Sequence, residues 1–147
     1  MKKGLLKCLF ATMIVAVSLM PAMATNWVKI GDNHYIDADS VRRSSTYGTY
    51  TMLTKYIATG TPLEVMNGRD VWSIKTNSYI DCTTNYAKTI SYSAYDKFGH
   101  TVASARNIGK QWYDINSPGS RAYESYSFVC SDRYLNVRPG YDPLWLY

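Results

Sequence analysis

The chain has 147 residues, sixteen basic against eleven acidic, a formal net charge of +5 at pH 7. Three of the lysines fall in the first seven residues, so residues 25–147 carry thirteen basic against eleven acidic side chains, a net +2. That charge is too small to argue nucleic-acid binding, since no basic run exceeds Arg42-Arg43, and no stretch after residue 24 is apolar enough to span a membrane.

Met1-Lys2-Lys3, an apolar run over residues 9–20 and Pro21-Ala22-Met23-Ala24 read as a secretory signal peptide, residues 1–24, cleaved after Ala24. The expected product is one exported domain, residues 25–147, bound for the periplasm, the cell surface or the medium. Cys8 leaves with the signal and is no lipidation cysteine, because Lys7 precedes it and the apolar segment follows it. Cys82 and Cys130 remain. In an oxidising compartment an even pair reads by default as a disulfide.

Trp27-Val28-Lys29-Ile30 and His34-Tyr35-Ile36-Asp37 predict a hairpin turned at Gly31-Asp32-Asn33. Asp37-Ala38-Asp39-Ser40 is expected to close it as a polar turn. Residues 47–57 predict a strand with Leu53 and Ile57 on one side and Tyr50, Met52 and Tyr56 on the other, and residues 58–70 an irregular, mobile stretch. The clearest pattern is residues 71–95. Its even positions Trp72, Ile74, Ile80, Cys82, Tyr86, Ile90, Tyr92 and Ala94 are apolar, and its odd positions are polar and hydroxyl-rich. Keeping the even set on one face requires a three-residue loop that pairs Cys82 with Tyr86 and leaves Asn85 left-handed; one bent strand with a bulge is the alternative. Asp96-Lys97-Phe98-Gly99 predicts a turn, and residues 100–106 a further strand. Ser117-Pro118 starts a helix running to about Ser131, with Ala122, Tyr123, Tyr126, Val129 and Cys130 as its buried stripe. The aromatic tail, residues 139–147, is expected to dock on the domain.

The residues available for catalysis are His34, His100, Glu124 and Arg106. Both histidines fall beside expected turns, where a solvated imidazole is the ordinary finding, and their spacing supports no acid–base pair. No metal set, phosphate loop or cofactor motif occurs, so none is expected. Fourteen tyrosines and four tryptophans are the stronger signal. Tyrosine among serine, threonine and asparagine is the palette of adaptable binding surfaces. Tyr79 and Tyr95, on the polar face of the central hairpin with Lys97 at the rim, are the candidate ligand-binding residues, with Arg42 and Arg43 as a basic pair. The plain structural alternatives are good β-propensity for the tyrosines and simple solvation for the arginines.

The order of landmarks resembles the surface-adhesin protein E family of Gram-negative bacteria. They are Trp27-Val28-Lys29-Ile30-Gly31, Tyr35-Ile36-Asp37 with Ser40-Val41, Ser73-Ile74-Lys75, Asp81-Cys82, and Ser117-Pro118-Gly119-Ser120 ahead of Val129-Cys130. Where the family leads one to expect basic residues after Asp81-Cys82, this chain has Thr83, Thr84, Asn85 and Tyr86. The resemblance implies a non-enzymatic module binding host extracellular-matrix or serum proteins, with a tendency to form a homodimer. The alternatives are an inhibitor or partner of another envelope protein and, remotely, a small secreted hydrolase. The expected fold is α+β: a small antiparallel sheet of about six strands with one C-terminal helix packed on one face. Intact mass of the exported protein should place its first residue at Thr25 with no acyl chain; a mass that includes residues 1–24 or a lipid would contradict this.

Overall fold

The computed structural model describes residues 25–109, 113–115 and 117–137; the expected signal peptide and aromatic tail lie outside them. Trp27–Gly31 (β1) and His34–Arg43 (β2) form the first hairpin, with Asn33 left-handed at φ 58°. The polar turn expected over residues 37–40 is instead the middle of β2, where the register jumps between Asp37 and Arg42. The Asp37 carboxylate accepts from the amides of Asn26 (3.2 Å) and Asp39 (3.1 Å), and the Ser40 hydroxyl accepts from Leu53 N–H (2.8 Å). These polar side chains stitch a bulge, not a reversal.

Thr49–Ile57 (β3) alternates as its sequence requires, with Tyr50 and Met52 buried. Residues 58–70, expected to be irregular, contain Glu64–Met66 (β4), paired through an Asn67-Gly68 turn with Arg69–Val71 (β5). Both turn residues have positive φ, the hairpin chemistry that an Asn-Gly dipeptide encodes.

Ser73–Asp81 (β6) and Tyr86–Tyr95 (β7) are the central hairpin. Asp81 pairs with Tyr86, so the loop is residues 82–85 rather than three residues, with Asn85 left-handed at φ 60° as expected. The even positions do not stay together. Ser78 pairs with Thr89 and Asn77 with Ser91, which makes Ile90 an inserted residue. This bulge reverses the parity: Ala87 is 1% exposed and Tyr86 41%, whereas beyond the bulge Ala94 is again buried. Thr101–Arg106 (β8) pairs along β7, and Tyr113–Asp114 (β9) adds beside Tyr86 and Ala87. The main sheet runs β1-β2-β3-β6-β7-β8, antiparallel throughout.

The helix is Arg121–Cys130 (α1), shorter at its start than expected. Gly119 has φ 85° and Ser120 N–H bonds the Ser117 carbonyl (3.1 Å), so Ser117-Pro118-Gly119 is a turn. Capping passes to Ser120, whose hydroxyl accepts from Tyr123 N–H at 3.2 Å. Phe128, Val129 and Ser125 are buried, with Ala122, Tyr126 and Cys130 at the margin, against Ile36, Met52 and Ile80. Sequence reading missed Ser125 and Phe128 on this face. A second cluster, Val71, Ala94 and Val102, takes Leu63 and Met66 from the β4–β5 region. Among the described residues no helix is long and apolar enough to cross a membrane.

Cys82 and Cys130 are bonded, with a Cα–Cα distance of 5.6 Å and a sequence separation of 48, joining the end of α1 to the loop after β6. A closed loop of this length stabilises by roughly 4 kcal/mol on the chain-entropy account. Replacing both cysteines with serine should therefore lower the thermal midpoint without abolishing the fold, because the sheet pattern still encodes a core. Circular dichroism melts check this; an unchanged midpoint would contradict it.

Candidate functional site

The face of the sheet opposite α1 is built by register. Lys29, Tyr35, Lys55, Lys75, Ser93 and Ser104 stand opposite one another in turn across six strands. Beside this row, Trp27 heads another that ends at Ser91 and Arg106. The Lys55 ammonium lies 4.4 Å from the Trp27 ring centre and 5.5 Å from that of Tyr35, and Lys75 lies 5.4 Å from that of Tyr95. Cation–π contacts hold both ammoniums down on aromatic faces. Lys55 and Lys75 are directly paired. Burial, then the charge of Lys75, pushes the Lys55 pKa below the ordinary lysine value. Like charges directly opposite on a sheet are destabilising, and among the described residues neither ammonium is in an ion pair.

Tyr79 and Tyr95 lie on this face, half-buried, but not together. Tyr79 pairs with Thr51 and Lys88 near the hairpin loop, while Tyr95 pairs with Ser73 at the open end, roughly 20 Å away at 3.3 Å per residue. Lys97 is exposed in the turn after Tyr95, its ammonium 5.1 Å from the Phe98 ring centre. Arg42 pairs with Thr51, two strands or about 10 Å from Tyr79. Arg43, also exposed, instead donates to the Tyr50 hydroxyl (3.4 Å), which raises its pKa. The predicted residues thus mark two ends of a surface whose middle, Lys55 and Lys75 with Trp27 and Tyr35, sequence reading missed. Its signal was the odd-position lysines, legible only once the strand order is known.

The helix-side face holds the other group. His34, expected beside a turn and solvated, opens β2 and is 3% exposed. Its Nδ1–H donates to Glu124 Oε2 at 2.7 Å, and Tyr56 packs edge-on with ring centres 6.4 Å apart. A Cβ on Gly31 would collide with the Glu124 carboxylate, so glycine there makes room for the bond. His100 is exposed beside Asp96, four strands away from His34 and so roughly 19 Å off. Two histidines at that distance share no reacting atom. Among the described residues no group of three metal-ligating side chains occurs.

Burial lowers the His34 pKa below 6.5, against the opposing pull of Glu124 and with help from the Arg121 charge. The unfolded chain takes up that proton near pH 6.5 and the folded one only at lower pH. Stability should therefore be full above about pH 6.5 and fall as pH drops below it; His34→Gln should flatten that part of the profile, measured as thermal midpoint from about pH 8 to about pH 5. Gly31→Ala, by displacing Glu124, should destabilise by about 1–3 kcal/mol in urea titration.

No curated protein sequence matches the chain. Among solved structures it is similar to Haemophilus influenzae protein E in crystal form II, with 14% identity, TM-score 0.53, and 74% of this chain and 90% of that one covered. A second structure of Haemophilus influenzae protein E aligns at 13% identity and TM-score 0.53 over 74% of this chain and 86% of that one. Protein E from non-typeable Haemophilus influenzae aligns at 14% identity and TM-score 0.50 over 76% and 79%. At these identities the likeness shows the fold. The sequence match is to the family described as Surface-adhesin protein E, over residues 27–131. That span holds the whole sheet and α1, and the chain belongs to the surface-adhesin protein E family.

Proposed function

We propose that this chain is an exported binding module that catalyses no reaction and holds a host extracellular-matrix or serum protein on the sheet face opposite the helix. The carrying observation is the direct cross-strand pairing of Lys55 with Lys75, flanked by Trp27, Tyr35 and Tyr95. A sheet position that repels its neighbour conflicts with stability, and such conflicts collect where function needs them. An acidic segment of a protein ligand would neutralise the pair while the aromatic rings supply contact area at small entropic cost. Family membership supports the adhesive role. The Thr83-Thr84-Asn85 loop end is uncharged, so the charge on this face comes from strands, not from the loop.

The sequence alone pointed to a tyrosine surface and a small net charge. The lysine row changes that expectation: net charge is small, but positive charge is gathered locally. Surface plasmon resonance of the exported protein on immobilised human serum proteins and on basement-membrane extract tests the reading. Tyr79→Ala and Tyr95→Ala should each weaken binding by about 1 kcal/mol or more. Lys55→Gln with Lys75→Gln should weaken it further and remove most of the salt dependence. Light scattering of the same sample decides whether the binding unit is one chain or a homodimer. Binding to an envelope extract alone would favour a partner inside the envelope, and unchanged affinity in the folded variants would remove this face from the account.

A further inference from the structure

The core-facing side of the sheet is not apolar throughout. Between the cluster under α1 and the cluster under β4–β5 lies a cavity of about 250 Å³. Its floor mixes hydroxyls from Thr54, Thr76, Ser78 and Thr89 with the apolar side chains of Met52 and Ile74. The first turns of α1 form the wall, with Ser125 facing the floor and Arg121 at the mouth. Thr76 and Ser78 occupy even positions of β6, where the core pattern calls for apolar residues. Hydroxyls set among apolar side chains suit an occupant with both polar and apolar parts, and the cavity exceeds the roughly 150 Å³ that accepts a benzene ring.

Arg121 gives that occupant a sign. Its guanidinium carbon sits over the Tyr56 ring, 3.3 Å from the ring centre, a distance that only face-on stacking allows. Stacking uses the face of the group and leaves its in-plane N–H donors, the geometry that grips a carboxylate. Among the described residues the guanidinium makes no hydrogen bond or ion pair. The nearest acid on the helix, Glu124, is turned to His34. One free guanidinium beside one engaged carboxylate suits a single negative charge better than a phosphate dianion.

We infer that this cavity is a binding site for a small monocarboxylate bearing a hydroxyl or carbonyl group, its carboxylate on the edge of Arg121 and its body among the hydroxyls of Thr54, Thr76 and Ser78. It is separate from the lysine row, which lies on the opposite face of the same strands. Neutral His34 adds no second cation at the mouth, and the ligand's polar groups meet hydroxyls that serve equally as donors and acceptors.

The test uses the isotopically labelled protein recovered after export of the full chain, titrated with 3-hydroxybutyrate, glycerate and pyruvate, and with the amide of each. Saturable shifts of the backbone amides at 76, 78, 89 and 121–125 are expected with at least one acid and not with its amide. Arg121→Gln should weaken that binding roughly tenfold or more. Thr76→Leu, which fills the cavity from the sheet side, should abolish it while leaving the thermal midpoint near that of the wild type. No saturable shift with any of the three acids at tens of millimolar would overturn the inference. So would equal binding of acid and amide, or full affinity in a folded Arg121→Gln protein.

Discussion

A six-stranded sheet spans about 24 Å from first strand to last, and a ten-residue helix is about 15 Å long. One such helix covers part of one face, and everything else in the molecule answers to that shortage. The disulfide ties the C-terminal end of α1 to the loop after β6, and the covered part is the half that holds Ile36, Met52 and Ile80, packed under Phe128 and Val129. The β4–β5 hairpin covers a second part through Val71 and Met66. Among the described residues, what remains is a gap on the inner face and the whole of the outer one.

The two uncovered regions solve the same problem with different chemistry. The inner gap is lined with threonine and serine hydroxyls and closed at its mouth by Arg121 on Tyr56. The outer face keeps its strands wettable with lysines laid over aromatic rings, a device that lets the lysine stems cover apolar surface while the ammoniums stay near water. Asparagine or threonine at residues 55 and 75 would have served solubility without repulsion. Two lysines in register, Lys55 and Lys75, are the feature on which the proposed acidic partner rests. The His34–Glu124 contact belongs to the covered side: a neutral imidazole donating to a carboxylate, it ties the start of β2 to the first turn of α1.

How much of this was legible before folding differs by distance in sequence. Local alternation was enough for the first hairpin, for β3, and for the pairing of β6 with β7, and the cysteine pair was read from compartment and count. Bulges defeated the pattern, because one inserted residue such as Ile90 reverses the parity of everything on one side of it. The polar residues 37–40 looked like a turn because their partners, Asn26 and Leu53, are eleven and thirteen residues away. Tyr79 and Tyr95 were assigned to this face by parity, but the Lys55–Lys75 pair needs the order of β3 and β6, which nothing local encodes. The hydroxyls at 76 and 78 stood in plain view as breaks in the even series. The sequence reading passed over both.

Lysine labelling resolved by mass spectrometry tests, at the residues themselves, whether the sheet face opposite α1 is the contact surface. The exported protein is acetylated alone and in complex with the serum or matrix protein that captures it, and each lysine is compared between the two. The account predicts that Lys55 and Lys75 lose most of their reactivity in the complex, with Lys29 and Lys88 protected in part as neighbours on the same face. Equal labelling of Lys55 and Lys75 with and without the partner, in a complex shown to remain intact, would contradict it.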